Sequence, residues 1–161
     1  MSSNVESSAP SLAEAFAFVA ERSLAVVASV AADRAPQAAV VGFALTDRFE
    51  LVFDTLGDTR KIANLRRDER IALVVGWDRM TTVQLEGVAD EPTGAERERI
   101  LARYLEAFPD GRERLAWSGI THVRVRPRWL RYSDFRASPP RILEADARAL
   151  DDHFAAVAAT R

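Results

Sequence analysis

The sequence predicts a mainly β protein, a six-stranded antiparallel barrel, closed or partly closed, with helices between and after the strands. Six segments rich in Val, Leu, Ile and Phe are separated by turn signals at roughly eight- to twelve-residue spacing. One short and one longer helical pattern interrupt them, instead of the regular strand–helix alternation of a doubly wound parallel sheet. The composition, 48% apolar and 29% charged over 161 residues, suits an ordinary globular core, so one domain over 1–161 is expected.

The elements follow in order. Residues 1–10, MSSNVESSAP, are Ser-rich, carry an acid and no apolar run, and are expected to be a frayed start and not a signal peptide. Ser11 precedes LAEAFAFVAER, in which Leu12, Phe16 and Val19 recur at helical spacing and Glu14 completes a capping box, so a helix is expected over 11–22. The next stretch, punctuated at Asp33-Arg34-Ala35-Pro36 and Thr46-Asp47-Arg48, reads as a three-stranded meander over 24–31, 36–45 and 49–54. Gly57-Asp58 breaks that pattern, and 59–67 follows as a short helix with Ile62 and Leu65 on one side and Arg66-Arg67 at its negative end.

Strands over 70–77 and 81–89 form a second hairpin around Asp78-Arg79. Thr93 caps a helix that Phe108-Pro109-Asp110-Gly111 stops. THVRVRPRWLRYSDF, 121–135, alternates apolar residues with Arg124, Arg126, Arg128 and Arg131 and reads as the last long strand; Pro127 requires an edge position or a bulge. The Ala-rich end places Leu150, Phe154 and Val157 on one face of a final helix over 143–159.

Several function classes are disfavoured at once. The net charge of −2 provides no global field for nucleic acid or an anionic membrane, and the arginine ladder is read as the polar face of a half-exposed strand. The absence of cysteine removes disulfides, thiolate metal sites and thiol nucleophiles, and a reducing cytoplasm is the expected compartment. No segment reaches the ~18 apolar residues of a membrane span. His122 and His153 are too far apart in the chain to suggest a metal cluster, and no serine sits in a Gly-x-Ser-x-Gly elbow.

The most informative segment is Asp54-Thr55-Leu56-Gly57-Asp58-Thr59-Arg60-Lys61. Two cations occupy a first helical turn, where acids are ordinarily favoured, so local stability does not explain them. A helix start offers unpaired N–H groups; with Arg60, Lys61 and the Thr55 and Thr59 hydroxyls it becomes a compact receptor for a phosphate monoester. The competing reading has both cations solvated and paired with Asp58 or Glu69.

Five pieces in this order and spacing carry a resemblance: 35–43 (APQAAVVGF), LVFDT, DTRKIANLRRDERIALVV, VQLEGVA and VRVRPRWLRYSDF. Over about 24–135 the chain resembles the pyridoxamine 5'-phosphate oxidase-like family of FMN-binding split barrels. The resemblance implies a six-stranded split barrel, a homodimer with FMN between subunits, and Arg60 and Lys61 on the FMN phosphate beside Thr59. It places the Val40, Val41 and Gly42 backbone along the isoalloxazine, and Asp54 and Thr55 near the ribityl chain or phosphate. Thr82 and Gln84 would approach from the partner subunit, although Gln84 reads equally well as a solvated strand residue. Trp77, Trp117 and Trp129 are candidate stacking residues, but core or interface anchoring is the preferred reading.

One departure limits the likeness. Pyridoxamine phosphate oxidases proper carry a Trp and then an Arg-x-His-Asp element after the last strand, whereas this chain has Ser133 at the Trp position and no such element. The resemblance therefore implies an FMN-dependent oxidoreductase of unassigned substrate, with no catalytic side chain named and substrate contacts expected in loops such as 112–121. Two alternatives stay open: a deazaflavin-coenzyme reductase, in which Lys61 with Arg66 or Arg67 meets a longer anionic tail, and a non-catalytic module that binds flavin or heme.

Overall fold

A single residue, Phe43, separates the two edges of the sheet. In the computed structural model, which describes residues 9–160, the strands are β1 (Leu24–Val30), β2 (Pro36–Gly42), β3 (Ala44–Leu45), β4 (Leu51–Leu56), β5 (Arg70–Val75), β6 (Thr81–Asp90), β7 (Ile120–Asp134) and β8 (Arg141–Asp146). They form one antiparallel sheet in the order β2-β1-β5-β6-β7-β4-β3, with β8 also pairing β7. Because β2 and β3 are consecutive in the chain yet lie at opposite ends of that order, the sheet must curl until its edges approach, which makes it a split half-barrel. Phe43, at the closure, is buried.

The split-barrel class stands, with eight strands among the described residues instead of six. The expected strand over 36–45 breaks at Phe43: its last two residues, β3, pair β4 across the expected turn, whereas the 36–42 part stays with β1 and the other edge of β4 pairs β7. The start of the expected final helix is strand β8; its Ile142 and Leu143 find a ladder on β7 that outweighs the helical pattern of the residues after them. Helix α5 (Ala147–Ala159) then begins behind Asp146, whose side chain accepts from the Ala149 N–H. Of the expected frayed start, residues 1–8 lie outside the described residues.

Helix α1 (Leu12–Ala20) has the reciprocal Ser11–Glu14 capping box. It buries Ala15 and Val19 against an inner core that includes Val27, Phe49, Phe53, Leu73, Leu85 and Leu130. Pro127 produces a bulge: the ladder shifts between Glu86 and Gly87, leaving Arg128 as the extra residue on β7. Gly87 is required there, since a Cβ would overlap the Arg126 carbonyl.

Helix α3 (Gly94–Ala107) lays Ile100, Tyr104 and Leu105 over the outer side of β3 and β4, forming a second small core with Ala44 and Val52. This cover overturns the expected half-exposed face of β7 at one point, because Val123, Arg124 and Val125 are all buried. Trp77 and Trp117 are also not core residues, at 54% and 55% exposed. No helix of the described residues is long and apolar enough to cross a membrane.

Candidate functional site

The end of β4 and the turn after it carry two threonine hydroxyls, Thr55 and Thr59, to the start of α2 (Arg60–Arg67). Lys61 Nζ donates to Thr55 Oγ1 at 3.0 Å, and the Thr55 and Thr59 hydroxyl oxygens are 3.4 Å apart. Thr59 occupies the N-cap position without capping, for its hydroxyl donates back to the Leu56 carbonyl at 2.9 Å. The first-turn N–H groups of α2 therefore face outward without a side-chain acceptor, the state in which a helix start attracts an anion. Neither Arg60 nor Lys61 has a carboxylate within the 4.0 Å of an ion pair among the described residues, so the competing pairing with Asp58 or Glu69 is not formed.

These cations open onto a cavity of about 460 Å³, bounded on the sheet side by Val27, Ser29, Gln37 and Ala39 and on the helix side by Thr59, Arg60 and Lys61, with Asp58 also in the lining. Its size lies within the ~300–1,000 Å³ of small-molecule sites. Buried Asn64 ties helix to sheet, donating from Nδ2 to Ser29 Oγ at 3.0 Å. The Gln37 carboxamide lies between Asn64 and Arg60. In one orientation its oxygen accepts from Asn64 Nδ2 at 2.8 Å, and turned over it accepts from Arg60 Nε at 3.1 Å. Arg66 bridges Glu91 at 2.7 Å and the Gly57 carbonyl at 3.1 Å, and Arg67 donates to the Val30 carbonyl, so the far end of α2 is anchored.

Thr55, Thr59, Arg60 and Lys61 thus come together as the sequence suggested. The other candidates are placed elsewhere. Val40, Val41 and Gly42 continue β2 past the cavity, whose β2 lining is Gln37 to Ala39; Val40 points outward and is 62% exposed, whereas Val41 enters the core. Asp54 alternates to the opposite side from Thr55 and accepts from Arg114 Nε at 2.6 Å. Thr82 and Gln84 lie on β6, Gln84 in an outward row with Val74, Val26 and Val40, so a single chain does not bring them to the cavity.

Ser29, Gln37 and Asn64 escaped the sequence reading. Asn64 carried a usable signal, since it interrupts the apolar side of α2 between Ile62 and Leu65. Lys61 carried another, as the one lysine among 22 Lys and Arg residues.

A separate cluster surrounds Asp54. Arg114, on the short helix α4 (Gly111–Arg114), bonds Asp54, Asp110 and the Tyr104 hydroxyl. Burial pushes the Tyr104 phenol up to about 12. His122 stacks edge-on to Tyr104 at 5.2 Å with both ring nitrogens buried and unpartnered, and burial holds its pKa below the ordinary imidazole value. Neither group lines the cavity at α2.

A family profile described as pyridoxamine 5'-phosphate oxidase matches residues 11–133. No curated protein matches the chain. Among solved structures, a heme binding protein from Mycobacterium smegmatis superposes with a TM-score of 0.76 at 21% identity over 89% of this chain. The chain spans 61% of that protein's length. A pyridoxamine 5'-phosphate oxidase-related, FMN binding protein from Nostoc punctiforme gives 0.66 at 14% identity, covering 87% of this chain and 92% of that one. The heme storage protein HutZ from Vibrio cholerae gives 0.63 at 17% identity, covering 72% and 89%. At these identities the likeness is one of fold.

Proposed function

The chain belongs to the pyridoxamine 5'-phosphate oxidase family, and from that premise we propose that it is an FMN-dependent oxidoreductase, working as a homodimer, that does not oxidise pyridoxamine phosphate itself. The observation that carries this reading is the pair Arg60 and Lys61, without a carboxylate partner, at an uncapped helix start. Guanidinium, ammonium, backbone N–H and hydroxyl donors on one rim match a dianionic monoester phosphate, so the residues present fit the cofactor. FMN supplies the hydride chemistry when bound. Arg60 and Lys61 bind its phosphate, Thr55 orients the Lys61 ammonium, and Asn64 fixes the distance from α2 to β1 and β2.

Two competing ligands find less support. A deazaflavin coenzyme was expected to use Arg66 or Arg67 for its longer tail, but those guanidiniums are engaged by Glu91, Gly57 and Val30. Heme is named for two structural neighbours, yet the α2 cavity is not lined by histidine, cysteine, methionine or tyrosine, the usual axial ligands.

The homodimer is supported by the outward face of β2, β1 and β5. Leu24 at 49%, Val40 at 62% and Val74 at 36% exposure lie there beside Ala28, Ala38 and Ala72, an apolar strip that a second copy would cover. A second copy would also be the source of Thr82 and Gln84 beside the flavin. The chain has no cysteine to argue for an oxidising compartment, and the cytoplasm is the proposed location.

The test is an absorbance spectrum of freshly purified protein, followed by addition of reduced nicotinamide coenzymes and light scattering. Flavin bands that bleach on reduction, in a particle of twice the chain mass, are expected. A Soret band in place of flavin bands would favour the heme reading.

A further inference from the structure

A second cavity, of about 280 Å³, shares no lining residue with the one at α2 and opens between the turn before β4, the bulge of β7 and helix α5. Its floor is apolar: Phe49 and Phe154 stack at 5.0 Å, with Leu150 and Pro127 beside them. Its rim carries three guanidiniums, from Arg48, Arg126 and Arg128. The last two flank Pro127 on β7, and both line the cavity.

Those cations are under-compensated. Their nearest carboxylates are Glu96 at 3.8 Å from Arg48, Asp90 at 3.7 Å from Arg126 and Asp151 at 4.0 Å from Arg128, all beyond hydrogen-bond length. Glu96 and Asp90 are also already engaged by Arg124, at 2.6 Å each. Glu50, the other acid in the wall, is held by Arg99 at 2.8 Å. Arg126 Nε is buried and has no hydrogen-bond partner.

We propose that this cavity binds a small organic carboxylate with an apolar, preferably aromatic, body. The arginine forks match a carboxylate, and Phe154 and Pro127, the partly exposed members of the floor, face the body that carries it, backed by buried Phe49 and Leu150. An inorganic anion would leave Phe154 and Pro127 in contact with water, and a neutral apolar molecule would desolvate the three cations without pairing them. The site stands independently of the flavin reading.

The probe is 4-fluorobenzoate, followed by ligand-observed fluorine NMR on the full chain. Saturable binding is expected, displaced by benzoate and not by benzamide. The double variant Arg48→Met, Arg128→Met should weaken it by roughly tenfold or more, the loss expected for charge-assisted hydrogen bonds. Both side chains are more than half exposed, at 61% and 51%, so the circular dichroism spectrum and melting temperature should hold. The single Arg128→Met variant gives the same reading with less disturbance. No saturable binding, equal binding of 4-fluorobenzamide, or unchanged affinity in the variants would overturn the proposal.

Discussion

Two groups of positive charge on this sheet are built in opposite ways. Behind α3, Arg124 meets Asp90, Glu96 and Glu50, and Arg99 meets Glu50 and Glu96; hydrogen bonding to Arg99 holds the Glu96 carboxyl down at about 2. At the start of α2, Arg60 and Lys61 share one rim and have no carboxylate partner among the described residues. Burying a cation demands its counter-charges within the fold, whereas a receptor for an anion must leave its counter-charge to be supplied from outside. The first group is structural and the second is available.

That contrast can be broken most severely at Arg124, whose side chain is only 10% exposed. Arg124→Met strands buried Glu50 beside one cation fewer and should cost about 3–5 kcal/mol in urea unfolding. Flavin bound per folded molecule should not change. The converse substitution, Arg60→Ala with Lys61→Ala, should weaken FMN binding by roughly a hundredfold or more, from two lost charge-assisted contacts. It should move stability by no more than ~0.5 kcal/mol, since both residues lie at the surface end of α2.

A smaller effect belongs to pH. His122 is held neutral by burial, below its ordinary 6.5, so the unfolded chain takes up the proton first. Its contribution is therefore complete above pH 6.5 and is lost as pH falls through the lowered folded value. Melting temperatures compared at about pH 7.5 and about pH 5.5 should diverge for the wild type and less for His122→Leu. Glu96 and Asp134, each hydrogen-bonded to an arginine and held at about 2, should lose their contribution only further into acid. The smallest change is expected from Thr59→Ala: a capping threonine is worth about 1 kcal/mol, but this one does not cap and should cost under ~0.5 kcal/mol by thermal denaturation.

The fold was legible wherever local pattern and tertiary position agreed. The Ser11–Glu14 box, the Pro127 bulge and the α2 boundaries were readable because each rests on residues within one turn or one ladder step. The pairing of β4 with β7 and the ladder that makes 141–146 a strand depend on partners distant in the chain, which periodicity does not encode. At the site, Arg60 and Lys61 stood out because their charge contradicts the helix dipole. Ser29 and Gln37 became visible only when Asn64 linked them to α2 from 35 and 27 residues away.

The most direct measurement is equilibrium titration of flavin-free protein with FMN and with riboflavin, which differ only in the phosphate. FMN should bind roughly a hundredfold tighter or more, and the gap should collapse when Arg60 and Lys61 are both alanine. Equal affinity for the two flavins, or a gap that persists in the double variant, would contradict a phosphate receptor at the start of α2.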